Sequence, residues 1–234
     1  TTPMTYFSIH NKGLDGAIMV TGSHNPPNYN GFKICIGKAT LHGADIQELR
    51  ALMEKDTGKG TGSPQAPEKF DIFPSYLEFL QSNLKINRPL KIVVDAGNGA
   101  GSDFAPAIFK KFGCEVIELF CTPDGTFPNH PADPTVEANL QDVIAAVKKH
   151  GADCGLALDG DADRIGVVNE KGEILWGDEL MVVFSRAVLK ANPGATIISE
   201  VKSSHRLYND IQSHGGNGIM WKTGHSLIKA KMKE

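Results

Sequence analysis

Residues 157–168 read ALDGDADRIGVV, an acidic turn set between two short apolar runs. Asp159, Asp161 and Asp163 stand at alternate positions. On a straight strand such residues share a face, but the outer pair is spread over roughly 13 Å. Oxygen ligands of a hard cation lie about 2.0–2.6 Å from it. A shared ion therefore requires the chain to bend, and Gly160 is expected to permit the bend. Three carboxylates converging in a small volume repel one another, and a divalent cation offsets that charge. The plain alternative is three solvated loop acids. The flanking runs, Cys154 to Leu158 and Ile165 to Val168, are expected strands, with a hairpin return at Glu173 to Trp176 across Lys171-Gly172.

Outward from this turn, apolar runs alternate with amphipathic stretches. Lys91 to Asp95 is expected to be a buried strand, Ser102 to cap a helix running to Phe112, and Glu115 to Phe120 to be the next strand. Leu140, Val143, Ile144 and Val147 repeat at helical spacing between Glu137 and His150, and Gly151 closes that helix. Asp178 is expected to cap a helix through Leu189. Strand Thr196 to Glu200, a helix near Ser203 to Gln212, a strand near Ile219 to Trp221 and a last helix from Ser226 follow. On the N-terminal side come strand Gly16 to Val20, a polar turn, strand Gly31 to Ile36 and a helix Asp45 to Lys55. Thr57 to Pro67, rich in Gly, Ser and Pro, is expected to be a linker or surface loop. The fold class is α/β, with layered mixed sheets flanked by helices in repeated α/β domains. The divisions fall at 1–70, 71–172 and 173–234.

Composition narrows the function. The chain has 234 residues, 41% hydrophobic, enough for one large core or two modest ones. A net charge of −3 gives no basic footprint for nucleic acid. No apolar run approaches the about 18 residues of a membrane helix, and the N-terminus lacks the pattern of a secretory signal. The four cysteines, Cys35, Cys114, Cys121 and Cys154, form no CxxC pair and suit a reducing, cytoplasmic setting. The chain opens on Thr1 and stops within an expected helix, as an internal piece of a longer protein would.

A second constellation is TGSHNPPNYNGFK, residues 21–33, directly after an apolar strand. Polar, Gly and Pro residues at a strand end build a stiff turn able to hold a hydroxyl at the lip of a sheet. Ser23 is the candidate nucleophile or phosphoryl carrier. A serine hydroxyl needs a base or cationic neighbour, and His24 and Lys33 are nearest in sequence. The alternative is a turn in which Ser23 and Asn25 merely bond the backbone. Three lookalikes are weaker. Asp159, Asp161, Asp163 and Glu170 match positions one, three, five and twelve of an EF-hand loop, but Arg164 stands where that loop needs Gly. Asp159-Gly160-Asp161 is similar to haloacid-dehalogenase-type phosphotransferases, which carry Thr or Val where Asp163 stands. Gly97-Asn98-Gly99-Ala100-Gly101 is GxGxG, a weak dinucleotide signal better explained by tight strand-to-helix packing.

Together TGSHNPPNYNGFK, DGDADR and WKTGHS, with VVDAGNG, FPNHPADP and EVKSSHRL between them, resemble the α-D-phosphohexomutases, most of all the bacterial phosphomannomutase/phosphoglucomutase branch. The resemblance implies that Ser23 is a phosphoserine and that Asp159, Asp161 and Asp163 bind Mg²⁺ together with it. It implies that Arg164 faces the phosphoserine, that Lys33 is the general base or acid, poised by nearby positive charge and burial, and that His24 positions the reacting hydroxyl. Lys202 and His225 match positions lining the sugar site, and Lys222 adds positive charge there. Asn129 and His130 receive no role beyond a turn. The implied reaction is reversible phosphoryl transfer between hexose 1-phosphate and hexose 6-phosphate, with hexose 1,6-bisphosphate as intermediate and activator. Sugar preference among mannose, glucose and glucosamine, and oligomeric state, stay open. The family's sugar-recognition loop and distal phosphate grip are expected beyond Glu234. The isolated piece is then poorly active, or a catalytically inactive sugar-phosphate or metal-binding module.

Overall fold

The computed structural model describes residues 1–55 and 66–234, the side chains of His225 and Ser226 excepted. Its largest sheet has five strands, β4 (Lys91–Asp95), β5 (Glu115–Leu119), β6 (Cys154–Leu158), β7 (Ile165–Asn169) and β8 (Ile174–Leu175), in the order β5-β4-β6-β7-β8. β5, β4 and β6 run parallel, whereas β7 and β8 join antiparallel. A central parallel strand is covered on both faces, which is why β4 is Ile-Val-Val throughout its middle, with charged residues only at its two ends. Its side chains alternate. Val93 packs with Val143 and Val147 of α5 (Gln141–His150), while Ile92 and Val94 pack with Ala105 and Phe109 of α4 (Ala105–Lys111). A single 3₁₀ turn, Glu137–Leu140, leads into α5, and Gly151 ends it in the left-handed conformation.

Strand direction places the acidic turn. Asp95 lies opposite Ala157 in the parallel β4–β6 pair, so both strands finish at one edge of the sheet. The glycine-rich turn 97–101 and the acidic turn 159–163 leave that edge side by side. The C-terminal edge of parallel strands is the usual location of ligand sites in open α/β sheets.

Two smaller units flank this sheet. β1 (Gly16–Val20), β2 (Phe32–Ile36) and β3 (Ala39–Thr40) form an antiparallel sheet with α1 (Thr2–Lys12) against β1 and α2 (Ala44–Lys55) after it. Phe7 of α1 packs 5.2 Å from both Tyr76 and Phe79 of α3 (Phe73–Asn83), joining this unit to the next. β9 (Thr196–Glu200) and β10 (Asn217–Trp221) form a parallel pair, packed with α6 (Gly177–Ala191) and α7 (His205–Ser213) around Leu189, Leu207 and Ile211. α8 (His225–Lys231) follows.

The layered α/β architecture is the one expected, with local corrections. Ser102 does not cap a helix: its hydroxyl donates to the Gly99 carbonyl at 2.7 Å, and α4 begins three residues later. Asp178 lies inside α6, whose cap is Trp176, and its carboxylate accepts from the Ser204 amide at 3.0 Å, tying α6 to α7. α1, β3 and α3 were not among the expected elements. Residues 57–65 of the expected Thr57 to Pro67 loop lie outside the described residues. Among the described residues no helix is long and apolar enough to cross a membrane.

Candidate functional site

The turn after β1 is closed by the Thr21 amide donating to the Gly31 carbonyl at 2.9 Å. Within it the Ser23 amide donates to Thr21 Oγ1 at 2.7 Å and Asn25 Nδ2 donates to the Gly22 carbonyl at 2.9 Å. These bonds hold Ser23 at φ +54°, a left-handed conformation uncommon for a residue with a Cβ and typical of strained functional turns. The result is that Ser23 Oγ donates to Asp159 Oδ2 at 3.0 Å and lies 3.4 Å from Asp161 Oδ1, across 136 residues of sequence. His24 Nδ1 stands 3.4 Å from the same hydroxyl.

The acidic turn folds around Asp159, whose Oδ1 accepts the amides of Asp163 at 2.9 Å and Arg164 at 3.0 Å. The left-handed residue that bends the chain is Ala162, at φ +59°, and not Gly160 as expected. Gly160 is required for a different reason. A Cβ there would lie 2.2 Å from the Ser23 carbonyl oxygen, so the serine turn and acidic turn touch only because that side chain is missing. The glycine cluster serves the same approach: a Cβ on Gly99 would meet the Gly160 carbonyl at 2.7 Å, and one on Gly101 would meet Ala162 at 3.2 Å. The cluster therefore packs on the acidic turn and, at Gly97, on Ala132, rather than strand against helix as expected. Gly160→Ala is expected to cost about 1–3 kcal/mol of stability by overpacking and to part Ser23 from the triad, lowering both the melting temperature and the protection of the Ser23 amide against hydrogen exchange. Unchanged values of both would show that the two turns do not need this contact.

Asp159, Asp161 and Asp163 each offer a carboxylate oxygen within 4.8 Å of the others. Asp159 and Asp161 are 0% and 1% exposed. Burial, then repulsion from Asp161 and Asp163, raises the Asp159 carboxyl above its ordinary value. Asp161 moves the other way: burial pushes it up, but bonds from Lys33 and Thr2 outweigh that and hold it low. Lys33 Nζ donates to Asp161 Oδ2 and to Asp163 Oδ2, each at 2.6 Å. Thr2 adds its hydroxyl to Asp161 Oδ2 at 2.8 Å and its amide to the Asp161 carbonyl at 3.0 Å. The buried Asp163 Oδ1 has no partner among the described residues. Buried acceptors are almost always satisfied, so an unpartnered carboxylate oxygen inside a cluster of acids is what a hard-cation site requires. The residues fit a divalent ion.

The surroundings of Lys33 differ from those expected. Its nearest charges are the two carboxylates, not positive groups. Burial lowers it, but the paired bonds to Asp161 and Asp163 prevail and keep it protonated. Arg164 makes no ion pair with the triad among the described residues, so its guanidinium is not consumed by its acidic neighbours. Lys202 and Lys222 are not brought to Ser23. Lys202 is 74% exposed, 3.7 Å from Glu200, and lines a cleft that also reaches Ile165 and Gly166 beside the acidic turn. Lys222 stands beside the Trp221 ring. The side chain of His225 lies outside the described residues. Thr2, which lies in no motif, and Thr21 and Phe127, which open two motifs without having been given a role, belong to the site; Phe127 reaches within 3.6 Å of the position a Gly160 Cβ would take. Strands β6 and β7, not helices, flank the acidic turn, which removes the EF-hand likeness.

Comparison with known proteins agrees with this arrangement. Models of the three phosphoglucomutase/phosphomannomutase alpha/beta/alpha domains match residues 1–59 (domain I), 74–172 (domain II) and 176–234 (domain III). A phosphoglucomutase of Neisseria gonorrhoeae is 49% identical over 100% of this chain and 51% of its own length. A phosphomannomutase/phosphoglucomutase of Pseudomonas aeruginosa is 47% identical over 100% of this chain and 50% of its own. The crystal structure of a phosphoglucomutase/phosphomannomutase family protein from Burkholderia thailandensis superimposes with a TM-score of 0.93 at 44% identity, covering 99% of this chain and 52% of that one. The chain thus spans about half the length of the relatives it matches. With three domain models in order along it and a serine turn docked on an aspartate triad, this chain belongs to the phosphoglucomutase/phosphomannomutase family.

Proposed function

We propose that this chain carries the phosphoryl-relay half of a hexose phosphate mutase, with Ser23 as the carrier. The observation that supports this most is the 3.0 Å bond from Ser23 Oγ to Asp159, which joins the two motifs at one point. Ser23, Asp159, Asp161 and Asp163 would hold a divalent cation, Mg²⁺ in this reading, which supplies the positive charge that a dianionic phosphoryl group needs beside three carboxylates. The division into 1–70, 71–172 and 173–234 assigns the serine turn to the first unit, the acidic turn to the second and the sugar-facing lysines to the third.

Each residue then has a task. The serine turn presents the hydroxyl oxygen, fixed by backbone bonds rather than by a mobile side chain. His24 orients it, and the free guanidinium of Arg164 forks onto phosphoryl oxygens. Lys33, an ammonium here, gives the proton that the serine oxygen takes when its bond to phosphorus breaks, and takes back the proton that the attacking sugar hydroxyl loses as its oxygen bonds to phosphorus. Phosphoserine passes its phosphoryl to the free hydroxyl of a hexose monophosphate. The bisphosphate turns round, and the other phosphoryl returns to Ser23. Phosphoryl transfer depends on position and charge more than on covalent help, and this site supplies both. Lys202, Lys222 and His225 approach the sugar once the units close. Mannose or glucose phosphates suit the names of the relatives, and glucosamine phosphate is the competing substrate. The four unpaired cysteines suit a cytoplasmic setting.

The test is incubation with hexose 1,6-bisphosphate with and without Mg²⁺, followed by mapping phosphate by mass spectrometry. Cation-dependent phosphate on Ser23 is the expected result. Phosphate on Asp159 would overturn the assignment, and unlabelled protein that still binds the bisphosphate would make the chain a binding module.

A further inference from the structure

The FPNHPADP stretch, residues 127–134, is wired into the acidic turn. His130 Nε2 lies 3.0 Å from Asp95 Oδ2 and His130 Nδ1 lies 2.8 Å from the Pro131 carbonyl. Both ring nitrogens face acceptors, so both bonds form only when both carry protons and the ring is an imidazolium. Asp95, at the end of β4, is 0% exposed, and its other oxygen accepts the Gly97 amide at 2.7 Å. Asn129 Nδ2 donates to Asn98 Oδ1 at 2.7 Å, and Asn98 is itself held at φ +58°. The glycine turn so pinned presents the Ala100 amide to the Gly160 carbonyl at 2.8 Å, while the ring of Phe127, a residue at φ +50°, comes within 3.6 Å of where a Gly160 Cβ would lie. Gly160 separates two of the three carboxylates.

We infer that His130 is a positioning residue for the cation site: through its ion pair with Asp95 and the glycine turn it fixes the acidic turn against Ser23, though it touches neither. This rests on the triad being a cation site. An imidazolium paired with a buried carboxylate is stabilised over the neutral ring, and the Asp95 bond raises His130 above its ordinary value against the opposing effect of burial. The charged groups facing it are Asp95 on β4 and Asp142 on α5; both are acids and favour the protonated ring. A raised histidine contributes stability that is full below its unfolded value near 6.5 and is lost as pH rises through the folded value.

The test uses the whole chain, as wild type, H130A, H130Q and D161N, with Mn²⁺ as probe in calorimetric titration and melting curves without metal. Wild type is expected to bind Mn²⁺, D161N to fail, and H130A to bind about tenfold more weakly, the usual cost of losing a group that supports a metal site from behind. H130Q keeps one donor for Asp95 and is expected to fall between; if H130A does not fold, H130Q carries the comparison. The melting-temperature gap between wild type and H130Q should be full below the ordinary histidine value of 6.5 and shrink as pH rises through the raised value of His130, whereas a ring that only fills space would give a constant gap. Unchanged Mn²⁺ affinity in both folded His130 variants, with wild type binding, overturns the positioning role alone. Failure of wild type to bind Mn²⁺ overturns the cation site and this inference with it.

Discussion

Replacing Ser23 with alanine is expected to abolish phosphate uptake from hexose 1,6-bisphosphate while leaving the fold in place. Alanine keeps the Cβ, so the φ of +54° set by the Thr21 and Asn25 bonds imposes no new strain. The substitution removes the hydroxyl that bonds Asp159 Oδ2 at 3.0 Å, a loss of about 1–3 kcal/mol at most, reduced because the half-buried turn admits water. Under the proposed relay, loss of the carrier oxygen is not graded in the same way: with no atom to accept the phosphoryl, labelling of this chain by the bisphosphate should fall to background. Ser23→Thr separates chemistry from geometry, since it keeps the hydroxyl but places a β-branched side chain where φ is positive. That variant is expected to label slowly and melt earlier. Phosphate mapping alongside melting curves decides the matter, and full labelling of the alanine variant would remove Ser23 from the reaction.

The parts of this architecture visible from the chain alone are those where one local signal dominates. The strands Gly16–Val20, Lys91–Asp95, Cys154–Leu158 and Thr196–Glu200 have the expected bounds, because dense apolar runs end at polar or glycine turns. Helix α5 follows from the spacing of Leu140, Val143 and Val147 with Gly151 as its stop. Helices α1, α3 and α4 share a less conspicuous start signal, a proline within the first two positions, where its missing amide costs nothing. Pro106 was thus a better marker of α4 than Ser102. In α1 the apolar stripe is interrupted because Thr2 is spent on Asp161, 159 residues away, and no periodicity can announce such a partner.

The site divides in the same way. Ser23 and the three aspartates could be singled out because a carrier hydroxyl and cation ligands need those residue types, and the fold does bring the four together. What holds them was not. Gly160 looks like a hinge in the sequence but is a contact point, whereas the hinge is Ala162, a residue that gives no hint of positive φ. The charge state of Lys33 depends on which acids the fold sets beside it, and His130 meets an acid only because β4 brings Asp95 to it. Residues that act through tertiary contact carry no local signature.

Asparagine substitutions at Asp159 and Asp161 should have the same effect on cation binding and opposite effects on metal-free stability. Each removes one of three ligating charges, so Mn²⁺ affinity should fall by about 100-fold or more in either variant, well beyond the tenfold cost of a supporting residue. Without metal the two positions differ. Asp161 is the pinned acid: it accepts Lys33 at 2.6 Å and Thr2 at 2.8 Å with 1% of its side chain exposed. Its depressed value means that the ionised form stabilises the fold at neutral pH, so Asp161→Asn, which weakens a charged bond and leaves Lys33 leaning on Asp163 alone, is expected to cost about 1–3 kcal/mol. Asp159 has no cation partner among the described residues, and its charge is disfavoured by burial and by its two acidic neighbours. Asparagine there keeps a carbonyl oxygen for the amides of Asp163 and Arg164 while removing the repelling charge. Melting curves in chelator at neutral pH should therefore show Asp159→Asn at or above wild type and Asp161→Asn below it. If both variants melt lower, Asp159 is held by an attraction not accounted for; if both melt higher, Lys33 does not pin Asp161 and the division of labour within the triad is wrong.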